Sequence, residues 1–241
     1  MLEILVMSFI AGASTLIGSG IVMAGGRPTQ RSLGLFLGAA AGIMTGVVLF
    51  DLLPSAITYG SAASALVGSA AGFCVLFILD NLFRVVMHCL DGVNYNNAWL
   101  RLGILIAIGI ALHDLPEGIA IAAGYSAETE LGIIIALAIT LHNIPEGMAC
   151  TAPLWMGGVR RRQIVMMIIA ISFITPLGAL AGVLLVNVSP GLLSSLLAFA
   201  AGAMTYIVSI ELIPEAVRCG WLYSGAGAAA GLAVIKALSG I

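Results

Sequence analysis

Apolar residues run along this chain in long blocks, each about 20 residues or more, the length that crosses roughly 30 Å of hydrocarbon as a helix. With that length as the measure, the pattern predicts eight helices, at about 2–24, 33–58, 62–87, 100–124, 130–156, 163–187, 191–217 and 220–239. The connections are short and hold turn-formers, as in Gly25-Gly26-Arg27-Pro28 and Asn187-Val188-Ser189-Pro190-Gly191. Only the third, about 88–99, has room for polar residues of its own. No soluble domain fits, and the expectation is a single transmembrane domain over 1–241. The first block is too long for the apolar core of a signal peptide, and Glu3 stands where a basic segment would be, so no cleavable leader is expected.

Polar positions within these blocks repeat. Residues 37–56, LGAAAGIMTGVVLFDLLPSA, align without gaps to 197–216, LAFAAGAMTYIVSIELIPEA, with ten of twenty positions identical at an offset of 160. These segments are the second and seventh predicted helices, five crossings apart, so the copies run in opposite directions. Inverted repeats of this kind occur in secondary transporters, whose substrate site lies near the midplane. The predicted fold is an all-α integral membrane protein in a 3+2+3 arrangement, helices 1–3 and 6–8 being the inverted copies around helices 4 and 5.

Composition agrees with a membrane setting. Hydrophobic residues make up 61% of the chain and charged ones only 8%, and the mean hydropathy is +1.16. A soluble surface needs roughly a quarter of its residues charged. The net charge of -2 offers no field for nucleic acid. All eight arginines (Arg27, Arg31, Arg84, Arg101, Arg160, Arg161, Arg162 and Arg218) fall at one end of the predicted helices, against Lys236 at the other. The bias of positive charge toward the cytoplasm then puts both termini outside, in a multi-pass protein of the cell (inner) membrane. The cysteines (Cys74, Cys89, Cys150, Cys219) show no C-x-x-C spacing and read as buried apolar residues.

The candidate chemistry sits in helices four and five. His113-Asp114-Leu115-Pro116-Glu117-Gly118 and His142-Asn143-Ile144-Pro145-Glu146-Gly147 lie 29 residues apart. His113 is 12 residues past Arg101 and His142 is 12 past Glu130, which puts both about 18 Å deep at 1.5 Å per residue. Ionisable groups at that depth are costly and mark functional sites. His and Glu four apart share a helix face, while Asp114 and Asn143 point about 100° away. Pro116 and Pro145 each free a carbonyl one turn earlier. Two imidazoles, three carboxylates and an amide suit Zn²⁺, Fe²⁺, Mn²⁺ or Co²⁺ better than Ca²⁺ or Cu⁺. The set leaves room for two ions bridged by Glu117 and Glu146. The competing reading is a pair of interhelical salt bridges, but no Lys or Arg lies at this depth to balance three acids.

Other residues extend the picture. Met44, 13 residues from Arg31, reaches mid-depth as a soft ligand or as packing; its counterpart Met204 reads as packing. Asp51 falls near the outer mouth, with Glu211 and Glu215 near the inner one, as entry and exit of a pathway. Asp80 is one turn from Arg84 and is expected to pair with it. His88, Cys89 and Asp91 read as polar loop residues or as a weak metal-collecting surface. Stripes of glycine (Gly34, Gly38, Gly42, Gly46; Gly68, Gly72; Gly227, Gly231) allow close helix contact, within the bundle or in a homodimer.

At its two six-residue motifs the chain resembles the ZIP (Zrt/Irt-like) family of metal-ion transporters, and the resemblance extends over essentially the whole length. It implies uptake of Zn²⁺ or Fe²⁺, with Cd²⁺ and Mn²⁺ as further cargo, toward the cytoplasm through a two-metal centre, with no prosthetic group. His113, Glu117, His142 and Glu146 match the first site, with Met44 as a fifth ligand; Asp114, Asn143, Glu117 and Glu146 match the second. Many members carry an acid where Thr175 precedes Pro176-Leu177-Gly178, so the second position has one ligand fewer here. The third connection lacks the His-rich tract of many relatives. A metal-dependent hydrolase is the alternative class, but H-E-x-x-H is absent. Carrier and channel both need a lined path and are not separated by these residues.

Overall fold

A chain in lipid must satisfy its backbone polar groups within its own segments, which favours helices, and every regular element described is helical. The computed structural model describes residues 1–26, 29–89, 98–127, 129–184 and 190–238, without the side chains of 83–84, 86–89, 127, 131, 190, 193 and 238. Helix α1 is Leu2–Ala24. Helix α2, Gln30–Tyr59, begins three residues before its predicted start because Thr29 caps it. Thr29 Oγ1 accepts from the Ser32 amide at 3.2 Å and Ser32 Oγ accepts from the Thr29 amide at 2.9 Å. Next come α3, Ala62–Cys89, α4, Ala98–Ala127, and α5, Thr129–Met156. Helix α6, Arg161–Leu184, is interrupted at Phe173, three residues before Pro176 removes a donor from the ladder. Helix α7 starts at Pro190 and continues to Leu238.

Among the described residues, seven helices are long and apolar enough to cross a membrane. The last of these, Ser194–Ala237, has 44 residues and breaks at Gly220, whose φ of 139° and ψ of 105° are open to glycine alone. The two arms of α7 run in opposite directions along α2. In the first arm, Ser194 Oγ donates to the Ala56 carbonyl at 2.7 Å, and a Cβ on Gly34 would lie 3.2 Å from Cys219 Cβ. The second arm returns along α2, from Ser224 beside Gly38 to Ile235 beside Gly46. The chain therefore doubles back at Gly220.

The two copies of the repeated segment share a feature that spacing alone did not reveal. Each contains a π segment, Val48–Leu52 in α2 and Ile207–Leu212 in α7, two residues before Pro54 or Pro214. Each also ties a threonine back one turn: Thr45 Oγ1 donates to Ala41 O at 2.6 Å and Thr205 Oγ1 to Ala201 O at 2.7 Å. The side-by-side pairing of Ala56 with Ser194 and Gly34 with Cys219 makes the copies antiparallel.

Packing gathers the helices into two groups. Helices α1, α4, α5 and α6 pack together, and α2, α3 and both arms of α7 form the other group. They meet where α4 lies against the first arm of α7 and where α5 lies against α2. The glycine stripes are used inside this bundle: Gly38 and Gly42 face the second arm of α7, and Gly68 and Gly72 face its first arm. Arg161 stacks over Trp155 at 4.5 Å and Arg31 over Tyr223 at 5.8 Å. Cys150 and Cys219 are buried as expected, but Cys74 is exposed on α3; Cys89 lies outside the described side chains.

Candidate metal centre

The polar residues of α4 and α5 meet in the middle of the first group. His113, Asp114, Glu117, His142, Asn143 and Glu146 are all buried, none more than 4% exposed. Their pairing is reciprocal between helices rather than along them. His113 Nε2 lies 3.1 Å from Glu146 Oε2, and His142 Nε2 lies 3.0 Å from Glu117 Oε1. His113 Nε2 is also 3.6 Å from Asp114 Oδ1, and one ligand atom from each of His113, Asp114 and Glu146 falls within a 4.8 Å group. Metal bonds of about 2.0–2.1 Å place neighbouring ligand atoms roughly 3 Å apart; the His113–Glu146 contact has that spacing and the Asp114 oxygen lies somewhat wider.

Backbone contacts orient these side chains. His113 Nδ1 donates to the Gly109 carbonyl at 3.0 Å, which turns Nε2 toward the carboxylates, the outer-shell arrangement common to metal-ligating histidines. Asn143 Nδ2 donates to the Ala11 carbonyl at 3.0 Å, leaving its Oδ1 as an acceptor. The last residue of each motif sets the helix spacing. A Cβ on Gly118 would run into the Thr175 carbonyl on α6, and one on Gly147 into the Thr15 carbonyl on α1. Glycine brings each neighbouring backbone against the motif and closes the cluster to lipid.

What remains is a set of oxygens with nothing to bind. Asp114 Oδ1 and Oδ2, Glu117 Oε2, Asn143 Oδ1 and Glu146 Oε1 are buried without a hydrogen-bond partner. A buried polar atom left unpaired costs about 1–3 kcal/mol, more when charged. The Asp114 and Glu146 carboxylates, each with a ligand atom inside the 4.8 Å group around His113, are acceptors of the kind a cation satisfies. Thr15 Oγ1 and Thr175 Oγ1 are likewise buried and unpartnered. They stand 160 residues apart, the same offset as the repeated segments 37–56 and 197–216.

A cavity of about 240 Å³ reaches this cluster from one side, lined by Val47, Asp51, Ser55 and Tyr59 of α2 together with Glu117 and His142. Asp51, expected near the outer mouth, lines the same cavity as Glu117 and His142. Met44 is buried one turn further along that face of α2. The other acids are differently placed. Glu211 is buried and held by Arg101, whose Nη1 and Nη2 donate to Oε1 and Oε2 at 3.1 and 3.0 Å. Glu215 pairs with Arg218 at 3.0 Å. Asp80, expected beside Arg84, accepts from Arg101 Nη1 at 2.9 Å and from the Tyr206 hydroxyl at 2.8 Å. Asp80 is fully buried and reaches across to α4; the expected pair with Arg84 falls on a side chain outside the described residues. The Arg84, His88 and Cys89 side chains and all of Asp91 lie outside the described residues.

Comparison with known proteins fits this arrangement. A family model described as "ZIP Zinc transporter" matches residues 91–239. The chain is 34% identical to zinc transporter ZupT of Chlorobium luteolum, over 96% of this chain and 94% of that protein. It is 31% identical to zinc transporter ZupT of Corynebacterium glutamicum, over 95% of each. It is 32% identical to zinc transporter GufA of Myxococcus xanthus, over 90% of this chain and 89% of that protein. A multi-pass helical membrane protein with buried His, Asp and Glu side chains facing one another between two of its helices, this chain belongs to the ZIP zinc transporter family and is a transporter, not an enzyme.

Proposed function

We propose that the chain carries a divalent transition-metal ion, zinc first and iron, manganese or cadmium as further cargo, across the cell's inner membrane toward the cytoplasm. The observation that carries this reading is the pair of buried His–Glu contacts between α4 and α5, beside five buried carboxylate and amide oxygens that have no hydrogen-bond partner. His113, Glu117, His142 and Glu146 hold the first ion, with Met44 as an additional ligand. Asp114 and Asn143 hold a second, with Glu117 and Glu146 shared between the two. Thr175 supplies a hydroxyl in place of a charge there, so the second ion is the weaker bound. Zinc is preferred because the donors are borderline N and O and because the relatives are named zinc transporters.

The same reading makes the chain one transmembrane domain with eight crossings, both termini outside. A straight 44-residue helix would be about 66 Å long, twice the hydrocarbon thickness of about 30 Å. The reversal at Gly220 divides it into two crossings. The packing supports a 3+2+3 inverted arrangement: α1 on α5 mirrors α6 on α4, and α2 with the second arm of α7 mirrors the first arm with α3. Asp51 and Glu211 then stand at opposite mouths. Zinc uptake into proteoliposomes tests the assignment. His113→Ala and Glu117→Ala are expected to bring uptake to the protein-free background while the variants stay monodisperse and helical. Uptake at the parent rate by the double variant would remove it.

A further inference from the structure

The two mouths of the cluster differ, and the repeat shows how. A shift of 160 residues carries Val47, Asp51 and Tyr59 onto Ile207, Glu211 and Cys219; the 29-residue shift between the motifs carries Arg101 and Gly109 onto Glu130 and Ala138. On one side, Val47, Asp51, Tyr59 and Ala138 line the open cavity. On the other, the matching positions have closed. A Cβ on Gly109 would lie 2.8 Å from Ile207 Cγ1, and Glu211 and Cys219 are only 5% and 8% exposed.

Arg101 ties this closed side together. Its guanidinium reaches both Asp80 on α3 and Glu211 on α7, while its helix, α4, carries His113, Asp114 and Glu117. The contact thus joins the ligand-bearing group of helices to the other group. The Tyr206 ring, packed edge-on against Phe73 at 5.2 Å, holds Asp80 in place through its hydroxyl. A two-pronged guanidinium–carboxylate pair of this kind is strong and geometrically specific. The counterpart of Arg101 is Glu130, exposed and of the same sign as Asp51, so among the described residues the position opposite Arg101 supplies no equivalent tie at the open mouth.

We propose that Arg101 is a tethered cation that latches α4 to α3 and α7 and seals this half of the path, and that a metal ion leaving the centre passes when the latch parts and Asp80 and Glu211 turn to meet it. The proposal rests on the transport reading above. Cys219, the counterpart of Tyr59 at the open mouth, is a natural reporter. Labelling of Cys219 by a membrane-impermeant maleimide, applied to purified protein in nanodiscs and quantified by peptide mass spectrometry, reads the closed side directly.

Arg101→Gln and Glu211→Gln, which remove the latch from opposite partners, are each expected to label about tenfold faster than the parent, the shift that about 1.4 kcal/mol of lost pairing gives. Arg101→Lys, which keeps the charge but not the fork, should fall between. An unchanged labelling rate in either neutral variant that remains folded overturns the latch. Zinc uptake by His113→Ala is measured in parallel. Uptake at the parent rate there defeats the transport reading, whereas the Cys219 rates decide the latch on their own.

Discussion

At the scale of single residues, the same atoms that look expensive without a cation become ligands with one, and this gives opposite signs for stability and binding. Asp114 is the clearest case, fully buried with both oxygens unpartnered. Asp114→Asn removes a buried charge and supplies a donor, so the metal-free protein should melt higher, by about 2–4 °C for each kcal/mol gained in a chain of this size. The same change should weaken zinc binding about 10–100-fold, the range for loss of a supporting group at a metal site. Thermal unfolding with and without Zn²⁺, alongside equilibrium dialysis, checks both signs; a lower melting point and unaltered affinity would count against a metal role for Asp114. That the six polar residues share buried helix faces was legible in the sequence, because four-residue spacing is a property of one helix. The reciprocal partners were not: which carboxylate meets His113 depends on how α4 and α5 are rotated against each other, and Asn143 is oriented by a carbonyl of α1 132 residues away.

At the scale of elements, the motif glycines act as spacers whose partners lie on other helices. Gly118→Ala and Gly147→Ala would each force a methyl against a backbone carbonyl that has no rotamer to yield. Overpacking of this kind costs about 1–3 kcal/mol. Both variants should lower the melting temperature and, by pushing α6 or α1 outward, reduce zinc uptake. Gly20→Ala, where nothing lies within 4 Å of the added methyl, serves as the control and should melt at or above the parent temperature. Equal melting of all three would show that these glycines do not set the spacing. The sequence marked the glycine stripes as contact surfaces but left open whether they serve the bundle or a second copy, since small size is the requirement in both. It also gave no warning of the π segments. Their only local trace is the proline two residues on, at Pro54 and Pro214, and a proline in an apolar helix is equally compatible with a kink. The Asp80 expectation names a partner, Arg84, whose side chain lies outside the described residues; what spacing could not show is that burial also brings this carboxylate to Arg101 and Tyr206 on other helices.

At the scale of the whole molecule, the number of crossings decides where the ends of the chain lie, and length alone counts differently from geometry. Seven helices pass the length and hydropathy measure, and an odd number would leave the termini on opposite sides. The last helix, however, follows α2 in one direction from Ser194 to Cys219 and in the other from Ser224 to Ile235. The proposed arrangement counts these two arms as separate crossings, eight in all, with both termini facing away from the arginines. Under the proposed orientation the arginine end is cytoplasmic, and there Arg31 and Arg161 lie over the Tyr223 and Trp155 rings. Epitope tags fused to either end should therefore be reached by antibody in intact spheroplasts. A tag in the connection after Met156, beside Arg160–Arg162, should be reached only after permeabilisation. One exposed and one protected terminus would restore the seven-crossing count, and with antiparallel copies no longer related across the membrane, Asp51 and Glu211 would cease to be opposite mouths of one path.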